Sequence, residues 1–212
     1  YVNRVKYSRH QPALPLFTVK DAEDALKQFE IVERDHWIEK DGFVFQLQRS
    51  GHIQGASFVT FQIEDKETSH RVCFSGDIGH QRSLIIKGPV QDIQCDTLVL
   101  ESTYGDRLHS KGQGKAQLSE YINRAVQRQG VVVIPSFAVG RSQEVLHLIR
   151  ILEDEKLIPQ IPVILDSPMA SSATELFMKT MNDSDSLFQD NPFQNVSEFL
   201  PRRFESVGSS DE

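Results

Sequence analysis

The sequence predicts an α/β protein in which an antiparallel sheet is followed by alternating strands and helices. Between residues 31 and 74, apolar side chains recur with a period of two, as in Phe43, Phe45 and Leu47, which is typical of strands with one buried face. Beyond residue 96, short apolar runs alternate with longer segments of helical periodicity. That order favours a parallel sheet covered by helices on both faces. The chain is therefore predicted to join two architectures, with the boundary at residues 102–115.

The individual elements carry local signals of their own. Thr18 and Asp21 have the spacing of a capping box, which predicts a helix over residues 21–29. In the second half, Gly130 is expected at the C′ position of a helix. The predicted elements of that half are strands at 97–100, 131–134 and 162–165, and helices at 116–129, at 141–153 and from Pro168. The tail from Asp183 is polar and lacks clear periodicity, so no element is predicted there.

Composition describes an ordinary globular chain with an acidic balance. The formal net charge is −7, so any contact with nucleic acid has to be local, although bound metal ions can supply positive charge at a phosphate. The two cysteines, Cys73 and Cys95, lack the spacing of a structural zinc site or a disulfide scaffold. We therefore expect a reducing, cytoplasmic setting. No apolar run reaches the roughly 20 residues of a membrane span.

Four motifs follow one another along the chain, each at the end of an apolar stretch. They are SGHIQGA (50–56), FSGDIG (74–79), LESTYGD (100–106) and IPSFAVGR (134–141). The first three each deliver one side chain that can bind a metal or move a proton, namely His52, Asp77 and Glu101. Three such groups at successive strand ends indicate a hydrolytic metal site with a ligand set typical of zinc or manganese.

Each of the three residues also has a structural explanation. His52 lies between glycines and could be a turn residue with a satisfied hydrogen bond. Asp77 could form an Asx-turn, and Glu101 could form a salt bridge or cap a helix. Spacing alone does not decide between these alternatives.

A second set of residues points to phosphate. Ser136 and Arg141 flank a predicted strand-to-helix turn, and Ser167 precedes another, with Pro168 near the first helical position. Backbone N–H groups at a helix N-terminus favour phosphate, and an arginine can clamp it with two hydrogen bonds. The alternative is a plain turn at both places. His147, within the predicted helix at 141–153, is interpreted as a surface residue.

In this order and combination, the motifs resemble those of the beta-CASP family of the metallo-beta-lactamase superfamily. The segments that carry the resemblance are GHIQGA, FSGDIG, ESTYGDR, IPSFAVGRSQE and IPVILDSPMA, within residues 14–180. The family comprises RNA-processing nucleases, among them bacterial beta-CASP ribonucleases and the endonuclease subunit of the cleavage and polyadenylation machinery. The resemblance implies part of a metallo-beta-lactamase αββα sandwich (1–105) joined to the first part of a beta-CASP domain (106–212).

The resemblance also implies roles for single residues. His52 corresponds to a histidine ligand of one metal, and Asp77 to the carboxylate that bridges two zinc ions. Glu101 corresponds to an acid beside the metals, so Asp77 and Glu101 are the expected catalytic carboxylates. A bridging hydroxide would attack the phosphodiester of RNA while the two metals stabilise the developing charge.

The family's upstream His-x-His-x-Asp-His motif and its two later histidine motifs do not occur in the sequence. We therefore expect an internal, inactive fragment of a longer RNA hydrolase, with a homodimer partner or subunits of an RNA-processing complex. Two alternatives are a non-catalytic scaffold paralogue and a small-molecule hydrolase of the same superfamily. Retention of His52, Asp77 and Glu101 argues against a scaffold, and the strand–helix alternation beyond residue 116 argues against a small-molecule hydrolase.

Overall fold

A computed structural model describes residues 12–81, 83–108, 112–181 and 198–207. Helices and short strands make up its second half, and strands dominate the first. In chain order the elements are α1 (Val19–Leu26), β1 (Trp37–Lys40), β2 (Phe43–Arg49), β3 (Ser57–Asp65), β4 (Thr68–Phe74), β5 (Thr97–Val99), α2 (Gly114–Gln127), α3 (Arg141–Asp154), β6 (Pro162–Leu165), α4 (Pro168–Thr180) and β7 (Arg203–Ser206). The predicted α/β class is confirmed. No helix within these described ranges is long and apolar enough to cross a membrane.

The first sheet has five strands in the order β1-β2-β3-β4-β5. The first four are antiparallel neighbours, as the period of two predicted, and β5 joins β4 in parallel. Alternate residues of β3, Phe58 and Thr60, are buried. Because β4 and β5 run in the same direction, the loops that follow them leave the sheet at one edge.

Helix α1 belongs to a separate compact unit, residues 12–33 of the described chain. It starts at Val19, two residues before the predicted start, directly after the cap residue Thr18. The capping box is present: the Thr18 backbone N–H donates to Asp21 Oδ2 over 2.7 Å, and the Asp21 N–H donates to Thr18 Oγ1 over 3.3 Å.

The second half is built on a helix pair and a short parallel sheet. Helices α2 and α3 pack through a buried cluster of Ile122, Ile149, Leu152 and Ile158. Strand β6 pairs in parallel with β7, with Val163 opposite Phe204. Strand β7 lies in the tail, where the sequence predicts no element. Four residues of mixed polarity give too weak a periodic signal to predict a strand.

Residues 131–134 do not form the predicted strand. Val131 and Val133 are 88% and 82% exposed, and no neighbouring strand in the described part of the chain pairs with them. A β-strand requires a hydrogen-bonded partner, so an apolar run alone does not produce one.

The end of α2 differs by one residue from the prediction. Gln129, not Gly130, occupies C′ with a φ of 52°. Its N–H donates to Val126 O and the Gly130 N–H to Ala125 O, over 3.1 and 2.9 Å, which is a Schellman motif. Gln129 therefore has the left-handed conformation at the end of α2, and Gly130 is the next residue.

A second buried cluster joins the loop after β4 to the last helix. Ile85 and Ile86, which follow the motif at residues 74–79, pack against Phe177, Met181 and Phe199. This contact fixes the segment that leaves the candidate site.

The surface interpretation of His147 is wrong. The residue is 6% exposed, its ring stacks on that of Phe199 at 5.1 Å, and Nδ1 lies 3.3 Å from the Phe199 carbonyl oxygen. A partner 52 residues away covers this face of α3, and helical periodicity does not reveal such a contact. Burial lowers the pKa of His147, the hydrogen bond to Phe199 opposes that shift, and the nearby Arg150 charge adds to it.

We expect this histidine to make the fold acid-sensitive. Because the pKa of His147 is lower in the folded protein than the 6.5 of the unfolded chain, the unfolded chain binds the proton first. The free energy of unfolding should therefore fall as pH drops from about 7.5 to about 5.5. Urea titrations of wild type and His147→Gln, whose amide can still donate to Phe199, check this. An equally steep loss in the variant would contradict it.

Candidate functional site

Two loops of the first sheet place His52 beside Asp77. The loop after β2 and the loop after β4 are joined by two hydrogen bonds: Ser50 Oγ donates to Asp77 O, and Gly79 N–H donates to Ser50 O, both over 2.8 Å. Ser50 is buried, so both bonds are shielded from water. His52 Nε2 consequently lies 3.7 Å from Asp77 Oδ2.

This proximity depends on two glycines. A Cβ on Gly79 would lie 1.7 Å from Gly51 O, so the two backbones touch where any side chain would separate them. Gly51 has a φ of 71°, and a Cβ there would lie 2.7 Å from Pro89 N. Both positions therefore require glycine.

Glu101 fixes the turn that carries Asp77. It follows β5, and its N–H donates to Ser75 Oγ over 3.0 Å. Glu101 Oε1 accepts the Ile78 N–H over 2.8 Å, and Oε2 accepts the Thr103 N–H over 3.3 Å. The Ile78 hydrogen bond contributes most to lowering the pKa of Glu101, with smaller contributions from Thr103 and His52. The carboxylate is therefore ionised at neutral pH and holds two turns in place.

The structure thus brings together the three residues predicted from the strand ends. The His52 and Asp77 side chains are 46% and 71% exposed, so they are positioned by their loops yet accessible from solvent. An imidazole and a carboxylate at this separation are a suitable pair of metal ligands. Within the described residues, no group of three or more His, Cys, Asp or Glu side chains is placed to hold a metal ion. The pair therefore fits as part of a ligand set.

Arg141 begins α3 and is held by an acid on the same helix. Its Nη1 donates to Glu144 Oε2 over 2.6 Å, and Glu144 Oε1 accepts from Ser83 Oγ over 3.1 Å. Because Ser83 lies in the segment after Asp77, this chain of contacts connects the start of α3 to the loop that leaves the candidate site. The guanidinium remains largely exposed.

The two serines have different settings. Ser167 is the N-cap of α4, and its Oγ accepts the Ala170 N–H over 3.3 Å. Ser136 is exposed in the irregular run that precedes α3. A phosphate-binding role for Ser136, Arg141 and Ser167 stays a prediction.

Gln143 is a positioning residue that the sequence reasoning missed. It is 1% exposed; Oε1 accepts the Gly140 N–H over 2.7 Å, and Nε2 donates to Thr174 Oγ1 over 2.8 Å and to Ala138 O over 3.1 Å. These bonds fix the loop before α3, where Gly140 has a φ of 83°. A glutamine three residues after a helix cap, as in a capping box, was the available signal.

The chain is similar in sequence to a protein-family model and to several known proteins. The Beta-Casp domain model matches residues 142–211. A ribonuclease of Thermus thermophilus is 28% identical over 194 residues, covering 91% of this chain and 44% of the relative. Endoribonuclease YSH1 of Saccharomyces cerevisiae is 29% identical over 197 residues, covering 86% of this chain and 25% of the relative. Cleavage and polyadenylation specificity factor subunit 3-I of Arabidopsis thaliana is 25% identical over 214 residues, covering 98% of this chain and 30% of the relative.

The chain thus spans less than half the length of each of these relatives. The Beta-Casp match extends beyond residue 180, where the motif resemblance ended, and includes β7. These similarities confirm the resemblance to the beta-CASP family that the motifs indicated.

Proposed function

We propose that the full-length protein is a metal-dependent nuclease that hydrolyses phosphodiester bonds of RNA. The observation that carries the proposal is the convergence of His52, Asp77 and Glu101 at adjoining strand ends. The proposal is also supported by the similarity of 91% of this chain to a protein named as a ribonuclease.

The residues of this chain have distinct parts in the proposed reaction. His52 and Asp77 would hold the metal, with zinc as the proposed ion, and further ligands would come from outside the described residues. Bound metal supplies an activated water at neutral pH and neutralises charge on the phosphate. Glu101 positions Asp77 through the Ile78 N–H, and its ionised state lets it accept a proton beside the site.

The other predicted site residues would bind the RNA substrate. Arg141 presents an exposed guanidinium at the start of α3, and we assign it, with Ser136 and Ser167, to phosphates of the RNA. Residues 1–105 are assigned to the metallo-beta-lactamase part and 106–212 to the beta-CASP part. One relative is named as a subunit of a cleavage and polyadenylation factor, which supports the proposal that the full-length protein works in an RNA-processing complex. A homodimer and a cytoplasmic location are further parts of the proposal.

The test is metal content and RNA cleavage by the full-length protein. Elemental analysis should find about two zinc ions per chain, and a labelled single-stranded RNA should be cut. Prolonged dialysis against a chelator should abolish cutting, and added zinc should restore it.

Two results would contradict the proposal. A full-length protein that holds no metal and cuts no RNA favours the non-catalytic scaffold. One that holds metal and hydrolyses a lactone or thioester, but no RNA, favours the small-molecule hydrolase.

A further inference from the structure

The turn after Glu101 is rigidly joined to the candidate site. The Thr103 N–H donates to Glu101 Oε2, the Gly105 N–H to Ser102 O over 3.0 Å, and the Arg107 N–H to Tyr104 O over 3.2 Å. Backbone hydrogen bonds thus hold residues 102–107 in a defined shape. The backbone of this turn is therefore held close to Glu101.

The turn displays an aromatic ring and a guanidinium together. Tyr104 is 58% exposed, and Arg107 Cζ lies 5.9 Å from the centre of its ring. Arg107 Nε also donates to Asp106 Oδ1 over 3.1 Å, and both of those side chains are largely exposed. An exposed aromatic ring offers a stacking surface for a nucleobase, and a guanidinium offers hydrogen bonds to a phosphate.

We propose that Tyr104 and Arg107 form a subsite for a nucleotide of single-stranded RNA next to the phosphodiester that is cut. The inference rests on the nuclease function proposed above. Tyr104 would stack on a base and Arg107 would contact the adjoining phosphate. A single strand is the fitting occupant because the bases of a duplex are already stacked on one another.

Asp106 opposes the contact between Arg107 and a phosphate. Its carboxylate sits beside the guanidinium and would repel an approaching phosphate. Removing the charge should therefore strengthen RNA binding if Arg107 contacts phosphate, and should have no such effect if Arg107 only braces Tyr104.

The chain contains a matched control pair. Arg124 Cζ lies 5.6 Å from the centre of the Tyr121 ring, with the same spacing in sequence, and Arg124 also has an acidic neighbour, Glu120, at 3.6 Å. Tyr121 is 53% exposed. This pair lies on the surface of α2 and not on the turn that follows Glu101, so it has the same chemistry in another place.

The experiment measures binding of a fluorescent single-stranded RNA of about twelve nucleotides by anisotropy. The full-length protein carries Asp77→Asn throughout, so that the RNA stays intact. Tyr104→Ala should weaken binding about tenfold, and Tyr104→Phe, which keeps the ring, should change it less than about twofold. Arg107→Ala should weaken binding and make the log–log salt dependence shallower by about 0.7. Asp106→Asn should tighten it, and Tyr121→Ala and Arg124→Ala should match the parent.

Three results would overturn the subsite. Binding unchanged by both Tyr104→Ala and Arg107→Ala would do so, as would equal losses at Tyr121 and Arg124, or a loss in Tyr104→Phe as large as in Tyr104→Ala. Cleavage by the protein with Asp77 restored separates this failure from that of the nuclease function. If the protein with Asp77 restored cuts RNA while the Tyr104 variants bind normally, only the subsite is lost. If the protein with Asp77 restored neither binds nor cuts RNA, both proposals fail.

Discussion

Gly79→Ala is expected to destabilise the first sheet and to abolish most of the RNA cleavage that we propose for the full-length protein. The added methyl group would lie 1.7 Å from Gly51 O, and backbone atoms line the whole contact, so no side chain can rotate away. The two loops must separate, which breaks the Gly79–Ser50 hydrogen bond and moves His52 away from Asp77. We expect a loss of about 3 kcal/mol in the free energy of unfolding. A displacement of about 1 Å would also lower RNA cleavage roughly a hundredfold.

Gly114→Ala is the matched control for this substitution. It makes the same chemical change at the start of α2, where nothing lies within 4 Å of the added Cβ and φ is not in the left-handed region. Its stability should stay within about 1 kcal/mol of wild type. Urea unfolding and cleavage assays on both variants check the prediction. If Gly79→Ala unfolds and cuts like Gly114→Ala, the close approach of the two loops does not hold the site together.

Local sequence patterns were sufficient to predict the elements whose signals lie within a few adjacent residues. Alternation at Phe43, Phe45 and Leu47 predicts a strand because each strand residue samples one of two faces, and β2 is found there. Likewise, Ser167 and Pro168 mark the start of α4 because cap and first-turn geometry is set by adjacent residues. Signals of this kind are contained within a few residues of sequence.

The features that sequence did not reveal depend on residues far apart. His147 is buried by Phe199, and β7 exists because β6 lies beside it. Conversely, Val131 has strand character but lacks a paired neighbour among the described residues, so its propensity has no effect. In each case a tertiary partner decides the outcome, and periodicity does not specify that partner.

The candidate site could likewise be predicted only in part from the sequence. The residue types and strand-end positions of His52, Asp77 and Glu101 were readable from the motifs. Their convergence was not, because it requires the parallel pairing of β4 with β5 and the contact between Gly51 and Gly79. Two of the motif glycines, which sequence alone could attribute to turns, are in fact what brings the loops into contact.

Asp77→Asn is expected to abolish the proposed metal binding and RNA cleavage while leaving the fold intact. The fold should persist because the backbone carbonyl of Asp77, not its side chain, accepts the Ser50 hydrogen bond. An amide is nearly the same size as a carboxylate but lacks the charge that a bridging metal ligand supplies. Loss of several kcal/mol of transition-state stabilisation corresponds to a decrease in cleavage on the order of a thousandfold.

A second histidine–aspartate pair provides the control for that variant. His70 Nδ1 lies 3.9 Å from Asp96 Oδ2, with side chains exposed to a similar degree as those of His52 and Asp77. Asp96→Asn removes the same charge from the same kind of pair, and the amide oxygen can still accept the Arg71 N–H. Metal content and cleavage of Asp96→Asn should therefore equal those of wild type. Normal metal content and cleavage in Asp77→Asn, or equal losses in both variants, would show that Asp77 is a turn residue and not a metal ligand.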